Sequence, residues 1–129
     1  MTPDTDPVLD PEVIAGLEQL GAESGNDTFI AQLVDLFRAK APARLARIGE
    51  AITVRDGKEL ERVAHTLKSN CSMLGATLMA GYCKDLEAMG ERQAFEEAAA
   101  LLPRATVEFA RVAKAIDALI ATESPESPE

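Results

Sequence analysis

The stretch Ala64-His65-Thr66-Leu67-Lys68-Ser69-Asn70-Cys71-Ser72-Met73-Leu74-Gly75-Ala76 carries the only histidine in a chain of 129 residues. Laid out as a helix at 100° per residue, Leu60, Val63, Ala64, Leu67, Cys71 and Leu74 fall within about 60° either side of one direction. That is a core stripe. Glu61, His65, Lys68, Ser69 and Ser72 fall on the opposite or flanking sides, so the imidazole is expected in water with Lys68 one turn further on. Ser69 and Ser72 are small, where a helix surface would normally carry Glu, Lys or Gln, and they leave the ring unobstructed.

Outward from this helix the chain spells out further amphipathic segments. Asp10 is placed to cap a short first helix, Pro11 suits its first position, and Leu9 and Ile14 stand where a hydrophobic staple needs them. Val13, Ile14, Leu17 and Leu20 form its inner face and Gly21 is the expected stop; its length suits a lid over one end of a bundle. After a turn at Ser24-Gly25-Asn26-Asp27, apolar residues recur every three or four positions at Phe29, Leu33, Phe37, Ala41, Leu45, Ile48 and Ile52. Pro42 costs about 3 kcal/mol in a helix interior. The register nevertheless continues on both sides, so one kinked or loosened helix is expected, with a break at Ala41 as the alternative.

Thr53 to Gly57 carry the next turn, and Asp56 with Glu59 has the form of a capping box opening the histidine helix. Gly75 suits the left-handed residue that ends it, and Thr77 is positioned to cap the following helix, with Leu78, Tyr82, Leu86 and Met89 inward and Gly90 at its close. The last helix is expected from about Gln93 to Ala121, kinked at Pro103, with Phe95, Ala98, Leu102, Ala105, Phe109, Val112, Ile116 and Leu119 inward.

Four long amphipathic helices joined by short turns pack as antiparallel neighbours. The expected fold is all-α: an antiparallel up-down-up-down four-helix bundle with a short additional N-terminal helix, occupying residues 8–121 as one domain. Residues 1–7 read as a disordered lead, and the acidic, proline-punctuated residues 122–129 as a disordered tail. Composition agrees, since 47% of the chain is hydrophobic but only 4% aromatic, and its apolar residues are mainly Ala and Leu, which favour helices over strands.

The net charge of −9 is concentrated at the ends. Three acids in residues 1–10 and three in 122–129 have no base beside them, which leaves 16 acids against 13 bases in the body. No clustered basic face points to nucleic acid, and none points to an anionic membrane. Neither a bilayer-spanning run nor a signal peptide is present, so a soluble, cytoplasmic protein is expected. Cys71 and Cys83 lack CxxC spacing and read as small buried hydrophobes. One outward-facing histidine supplies no metal or haem site, and no Walker loop or glycine-rich lid provides for ATP.

The run from Ala64 to Ala76 resembles the signature of histidine phosphotransfer (HPt) domains, commonly written A-H-x-L-K-G-S-x-x-x-L-G-A, at Ala64, His65, Leu67, Lys68, Leu74, Gly75 and Ala76. Ser69 stands where the family usually has glycine, and Asn70 where it often has serine. Asp10-Pro11-Glu12-Val13, Phe37 with Pro42, and Cys83-Lys84-Asp85-Leu86-Glu87 also look like this family, so the resemblance covers roughly residues 8 to 120.

The resemblance implies that His65 is the phosphoacceptor. The donor would be an aspartyl phosphate on a response-regulator receiver domain, such as that of a hybrid histidine kinase, and the acceptor a second receiver on a downstream regulator. The receiver would supply Mg²⁺ and an acidic pocket; the chain would need no cofactor of its own. An imidazole with an ordinary pKa of about 6.5 keeps a large neutral fraction at cytoplasmic pH, and Lys68 is positioned to favour the neutral ring by like-charge repulsion and then to attract the phosphoryl group. Receivers of this family approach the bundle around the histidine, which makes Glu61, Arg62, Ala64, Ser69 and Ser72 the docking candidates and Gly75 structural. Two other readings stay open: a helical adaptor that docks receivers or a kinase without carrying phosphate, and one piece of a larger kinase, though the acidic ends suit a free-standing protein better. A displayed site on a closed bundle suggests a monomer.

Overall fold

In the computed structural model, which describes residues 8–123 and side chains as far as residue 119, helix boundaries follow local capping chemistry. Asp10 Oδ1 accepts from Glu12 N at 2.9 Å, and Pro11 opens helix α1 (Pro11–Glu23). Gly21 does not end α1. It is buried where α1 meets the start of the next helix, and a Cβ there would lie 2.9 Å from the Asn26 carbonyl oxygen and from Phe29 Cβ. The left-handed residue is Gly25, at φ +74°. Leu20 is 52% exposed, against expectation, because α1 covers only one end of the bundle and finds partners for only part of its apolar face.

Helix α2 (Phe29–Val54) runs through Pro42 as one helix, as the unbroken apolar register requires. Arg55 then turns left-handed, and Asp56 Oδ1 accepts from Glu59 N at 3.1 Å to start α3 (Gly57–Met73). Thr53 belongs to α2 rather than to the turn. Leu60, Val63, Ala64, Leu67, Cys71 and Leu74 are all buried, which is the stripe read from the sequence. Gly75 takes φ +76° after the helix, and its carbonyl accepts from Asp10 N at 2.7 Å, fastening the start of α1 over the α3–α4 turn.

Helix α4 (Thr77–Arg92) differs most from expectation. Its N-cap is Ala76, and Thr77 is the first helical residue, its hydroxyl donating back to the Gly75 carbonyl at 3.3 Å. The buried residues are Met79, Ala80, Cys83, Leu86 and Gly90, while Leu78 is 51% exposed and Tyr82 and Met89 are half-buried. Two overlapping stripes share Leu86, and the smaller side chains win because α4 packs closest to α3. Gly90 lies inside α4 rather than at its close. A Cβ there would meet Glu61 N at 2.7 Å and the Gly57 carbonyl oxygen at 2.8 Å, so the helices touch backbone to backbone at this crossing.

Helix α5 (Phe95–Glu123) continues through Pro103 and takes in residues 122 and 123, past its expected end. Residues 1–7 and 124–129, read from sequence as lead and tail, lie outside the described residues. Connections of two or three residues make consecutive long helices antiparallel. Helices α2 and α4 each pack against both α3 and α5, which places α3 and α5 diagonally opposite, and α1 packs on α2. Phe37 and Phe109 stack at 5.7 Å across α2 and α5, and Arg38 pairs with Asp117 on the same seam. Among the described residues, no helix is long and apolar enough to cross a membrane.

Candidate functional site

Helix α3 carries His65 on its outer face, with 59% of the side chain exposed. The ring does not stand alone. Glu87, from the facing turn of α4, places Oε2 3.0 Å from His65 Nδ1, and its Oε1 accepts from Lys68 Nζ, also at 3.0 Å. One carboxylate thus bridges the histidine and the lysine. An ionised carboxylate only accepts hydrogen bonds, so Nδ1 is the donor, and in the neutral ring the lone pair lies on Nε2. Nε2 has no protein partner among the described residues.

The electrostatics of Glu87 follow from this geometry. Burial pushes its carboxyl up, but the hydrogen bonds from Lys68 and His65, with their charges, outweigh burial and hold it below its usual value. Lys68 therefore does not act on the ring by simple like-charge repulsion, as the sequence suggests. Its charge is already paired, and Glu87 stands between the two groups.

Ser69 is exposed beside His65, and its hydroxyl donates to the His65 carbonyl at 3.3 Å. It is turned along the helix instead of out over the ring. Ser72 is exposed and Glu61 half-buried at the Gly90 crossing. Arg62 is exposed, but its guanidinium is held by both oxygens of Glu59, at 2.9 Å each from Nη2. Glu59 also accepts from Arg47, and the hydrogen bonds from Arg47 and Arg62 lower its pKa. Ala64 must be corrected: it is fully buried. One residue before His65 is 100° away around the helix, which turns its methyl into the core and away from any partner.

Sequence reasoning overlooked Glu87 as a site residue. The signal was there in the hairpin: His65 lies ten residues before Gly75 and Glu87 twelve after it, so a tight antiparallel turn sets them opposite each other. The same hairpin brings Cys71 against Cys83. Both thiols are buried and free, and the hydrogen bond with Cys83, together with burial, pushes the Cys71 thiol far up. Neither is a reactive group. Among the described residues, no three His, Cys, Asp or Glu side chains gather to hold a metal ion.

Known proteins share the sequence pattern and the fold of this chain. The family model described as "Hpt domain" matches residues 32–122. Among solved structures, histidine-containing phosphotransfer protein B (HptB) from Pseudomonas aeruginosa PAO1 superposes with a TM-score of 0.78 at 33% identity, covering 88% of this chain and 94% of that one. A search of curated proteins found no match.

Proposed function

The chain belongs to the Hpt domain family, and on that premise we propose that His65 carries a phosphoryl group between two receiver domains of a phosphorelay. The observation that supports this most is the Glu87 carboxylate at Nδ1, which fixes the tautomer in which Nε2 is the nucleophile. The Nε2 lone pair attacks phosphorus of an aspartyl phosphate, the bond from phosphorus to the aspartate oxygen breaks, and the carboxylate leaves on the receiver. Nδ1 keeps its proton throughout, and Glu87 balances the positive charge that the phosphorylated ring acquires. Transfer to the second receiver is the same step reversed.

Lys68 is the charge reserve of the site. Its ammonium is within one helical turn of His65 and is shared with Glu87; a phosphoryl dianion on Nε2 competes for it. It serves as a point charge, in keeping with lysine's compact ammonium. Glu61, Arg62, Ser69 and Ser72 form the surroundings that a receiver meets first. The chain phosphorylates nothing from ATP by itself, and any Mg²⁺ belongs to the receiver. We place it in the cytoplasm, as a monomer, between the receiver of a hybrid histidine kinase and that of a downstream regulator.

The test is transfer of radiolabelled phosphate from phosphorylated receiver domains to native protein and to His65→Gln. Acid-labile, base-stable label on the native protein alone supports the relay. Binding of receivers with no label on either protein would replace it with the adaptor reading.

A further inference from the structure

Glu87 fixes only one edge of the His65 ring, and what lies at the other edge follows from the helix itself. At 100° per residue, Glu61, Lys68 and Ser72 stand about 40°, 60° and 20° round α3 from His65 on one side, and Ser69 and Arg62 about 40° and 60° round on the other. Lys68 and His65 Nδ1 both bond Glu87 of α4, so the first side is the one that faces α4. The two nitrogens of an imidazole point in nearly opposite directions. Nε2 is therefore presented away from Glu87, toward the side of Ser69 and Arg62.

Most polar side chains around that edge are already engaged or out of reach. Both oxygens of Glu59 hold the Arg62 guanidinium. Thr66 is 100° round the helix, and its hydroxyl donates to the Arg62 carbonyl at 3.2 Å. Asn70 Oδ1 accepts from Arg44 Nη1 at 2.8 Å, across the seam with α2. Ser72 lies two turns on, about 10 Å along the axis. Ser69 is one turn from His65, with Cβ atoms about 5–6 Å apart. Its hydroxyl is exposed and bonds the His65 carbonyl at 3.3 Å, long beside the ~2.7–2.8 Å usual for O–H···O. That carbonyl also has its helical N–H partner within α3, so the hydroxyl can leave it at little cost.

We infer that the Ser69 hydroxyl donates a hydrogen bond to the phosphoryl group carried on His65 Nε2, reaching it by rotation about χ1 from its place on the His65 carbonyl. This rests on the phosphoacceptor reading above and adds a residue that holds the group after transfer. A bond from a neutral donor to a phosphoryl dianion is charge-assisted and stronger than one to a carbonyl. It exists only in the phosphorylated state, so it draws the transfer equilibrium toward His65. The charged groups facing the phosphoryl group are Glu61, Arg62 and Lys68 from α3 and Glu87 from α4, and they are the same in every Ser69 variant.

The experiment phosphorylates native protein, Ser69→Ala, Ser69→Gly and Ser69→Thr with phosphoramidate. Nε2 attacks phosphorus, the bond from phosphorus to the amine nitrogen breaks, and ammonia leaves. A ³¹P NMR titration then reads the second ionisation of the phosphoryl group, which a donor to the dianion lowers. Ser69→Ala and Ser69→Gly should both raise that pKa by about 0.5 to 1, and should shift the partition of phosphate toward a receiver about threefold to tenfold. That is the effect of one charge-assisted bond discounted for an exposed site. Ser69→Thr keeps the hydroxyl and should stay within about twofold of native.

A pKa and a partition unchanged in Ser69→Ala would overturn the assignment. So would Ser69→Gly loading more phosphate than native protein, because Ser69 would then act by bulk alone. Native protein that takes no phosphoryl group on His65 would overturn it together with the phosphoacceptor reading. Receivers that never label native protein would refute the relay, while the ³¹P comparison on chemically phosphorylated protein still decides for or against Ser69.

Discussion

Replacing Gly90 by Ala tests the contact that sets the height of α4 over His65. An added Cβ would sit 2.7 Å from Glu61 N and 2.8 Å from the Gly57 carbonyl oxygen, with Leu60 Cγ at 3.1 Å. Ordinary contact begins at 3.4 Å, so α4 must move off α3 by about 0.7 Å, and both close neighbours are backbone that cannot rotate away. Overpacking of this kind costs about 1–3 kcal/mol, against which the better helix propensity of alanine returns about 1 kcal/mol. The net is a loss of up to about 2 kcal/mol, or up to about 8 °C in Tm for a domain of this size.

Glu87 is one turn before Gly90 on the same helix, so the displacement stretches both of its 3.0 Å hydrogen bonds beyond hydrogen-bonding range. Gly81→Ala on the same helix is the matched control: nothing lies within 4 Å of its added Cβ, and it should stabilise by up to about 1 kcal/mol. Urea and thermal unfolding followed by circular dichroism, alongside phosphotransfer assays, measure both effects. If Gly90→Ala stabilised the protein as much as Gly81→Ala and transferred at the native rate, the account of how α4 positions Glu87 would be wrong.

Glu87→Ala should slow phosphotransfer about fivefold to tenfold while leaving receiver binding intact, because a charge-assisted hydrogen bond of about 1.5–3 kcal/mol is discounted for a partly exposed carboxylate; Glu87→Gln should recover part of that rate in a stopped-flow or quench assay. Glu87 titrates below its ordinary value of 4.5 in the folded chain, so the stability it contributes is complete above that value and is lost as pH falls through the folded pKa. The stability gap between native protein and Glu87→Gln should therefore be present at neutral pH and close as pH falls through the folded pKa of Glu87, as urea titrations at each pH would register; a gap that persisted unchanged below that range would reverse the assigned sign. Gly75→Ala forces a side chain into φ +76° with its Cβ 3.0 Å from Asp10 N. It should lower Tm by more than Gly25→Ala, which has φ +74° but open space, and a differential scanning experiment compares them directly.

The histidine helix was legible because its apolar and polar residues separate cleanly, and burial of every residue from Leu60 to Leu74 on the predicted stripe follows from that separation. Helix α4 was harder, since Leu78, Tyr82 and Met89 outbid Met79, Cys83 and Gly90 in hydrophobicity, yet close packing against α3 selects small residues over large ones. The roles of Gly21 and Gly90 were misread for a related reason. A glycine near the end of an apolar pattern signals a stop, but it equally permits two backbones to touch, and only tertiary contact distinguishes them. Pro42 shows the opposite case, where continuity of the apolar register correctly outweighed a local breaker.

At the site, residues on α3 could be placed by periodicity alone. Their partners across the hairpin could not, because helix spacing says nothing about what a neighbouring helix brings. Glu87 and the Arg44–Asn70 bond both depend on register between helices. Ala64 is legible as core from the same stripe, and a side chain turned into the core cannot also meet a docking partner.

The most direct test of the central claim is the site of phosphorylation on the ring, read by ¹H–¹⁵N and ³¹P NMR of protein labelled from a phosphorylated receiver. Bonding of Glu87 to Nδ1 predicts phosphate on Nε2 of His65, with the Nδ1 proton retained and shifted by its carboxylate partner. Phosphate on Nδ1, or label on any residue other than His65, would contradict the account.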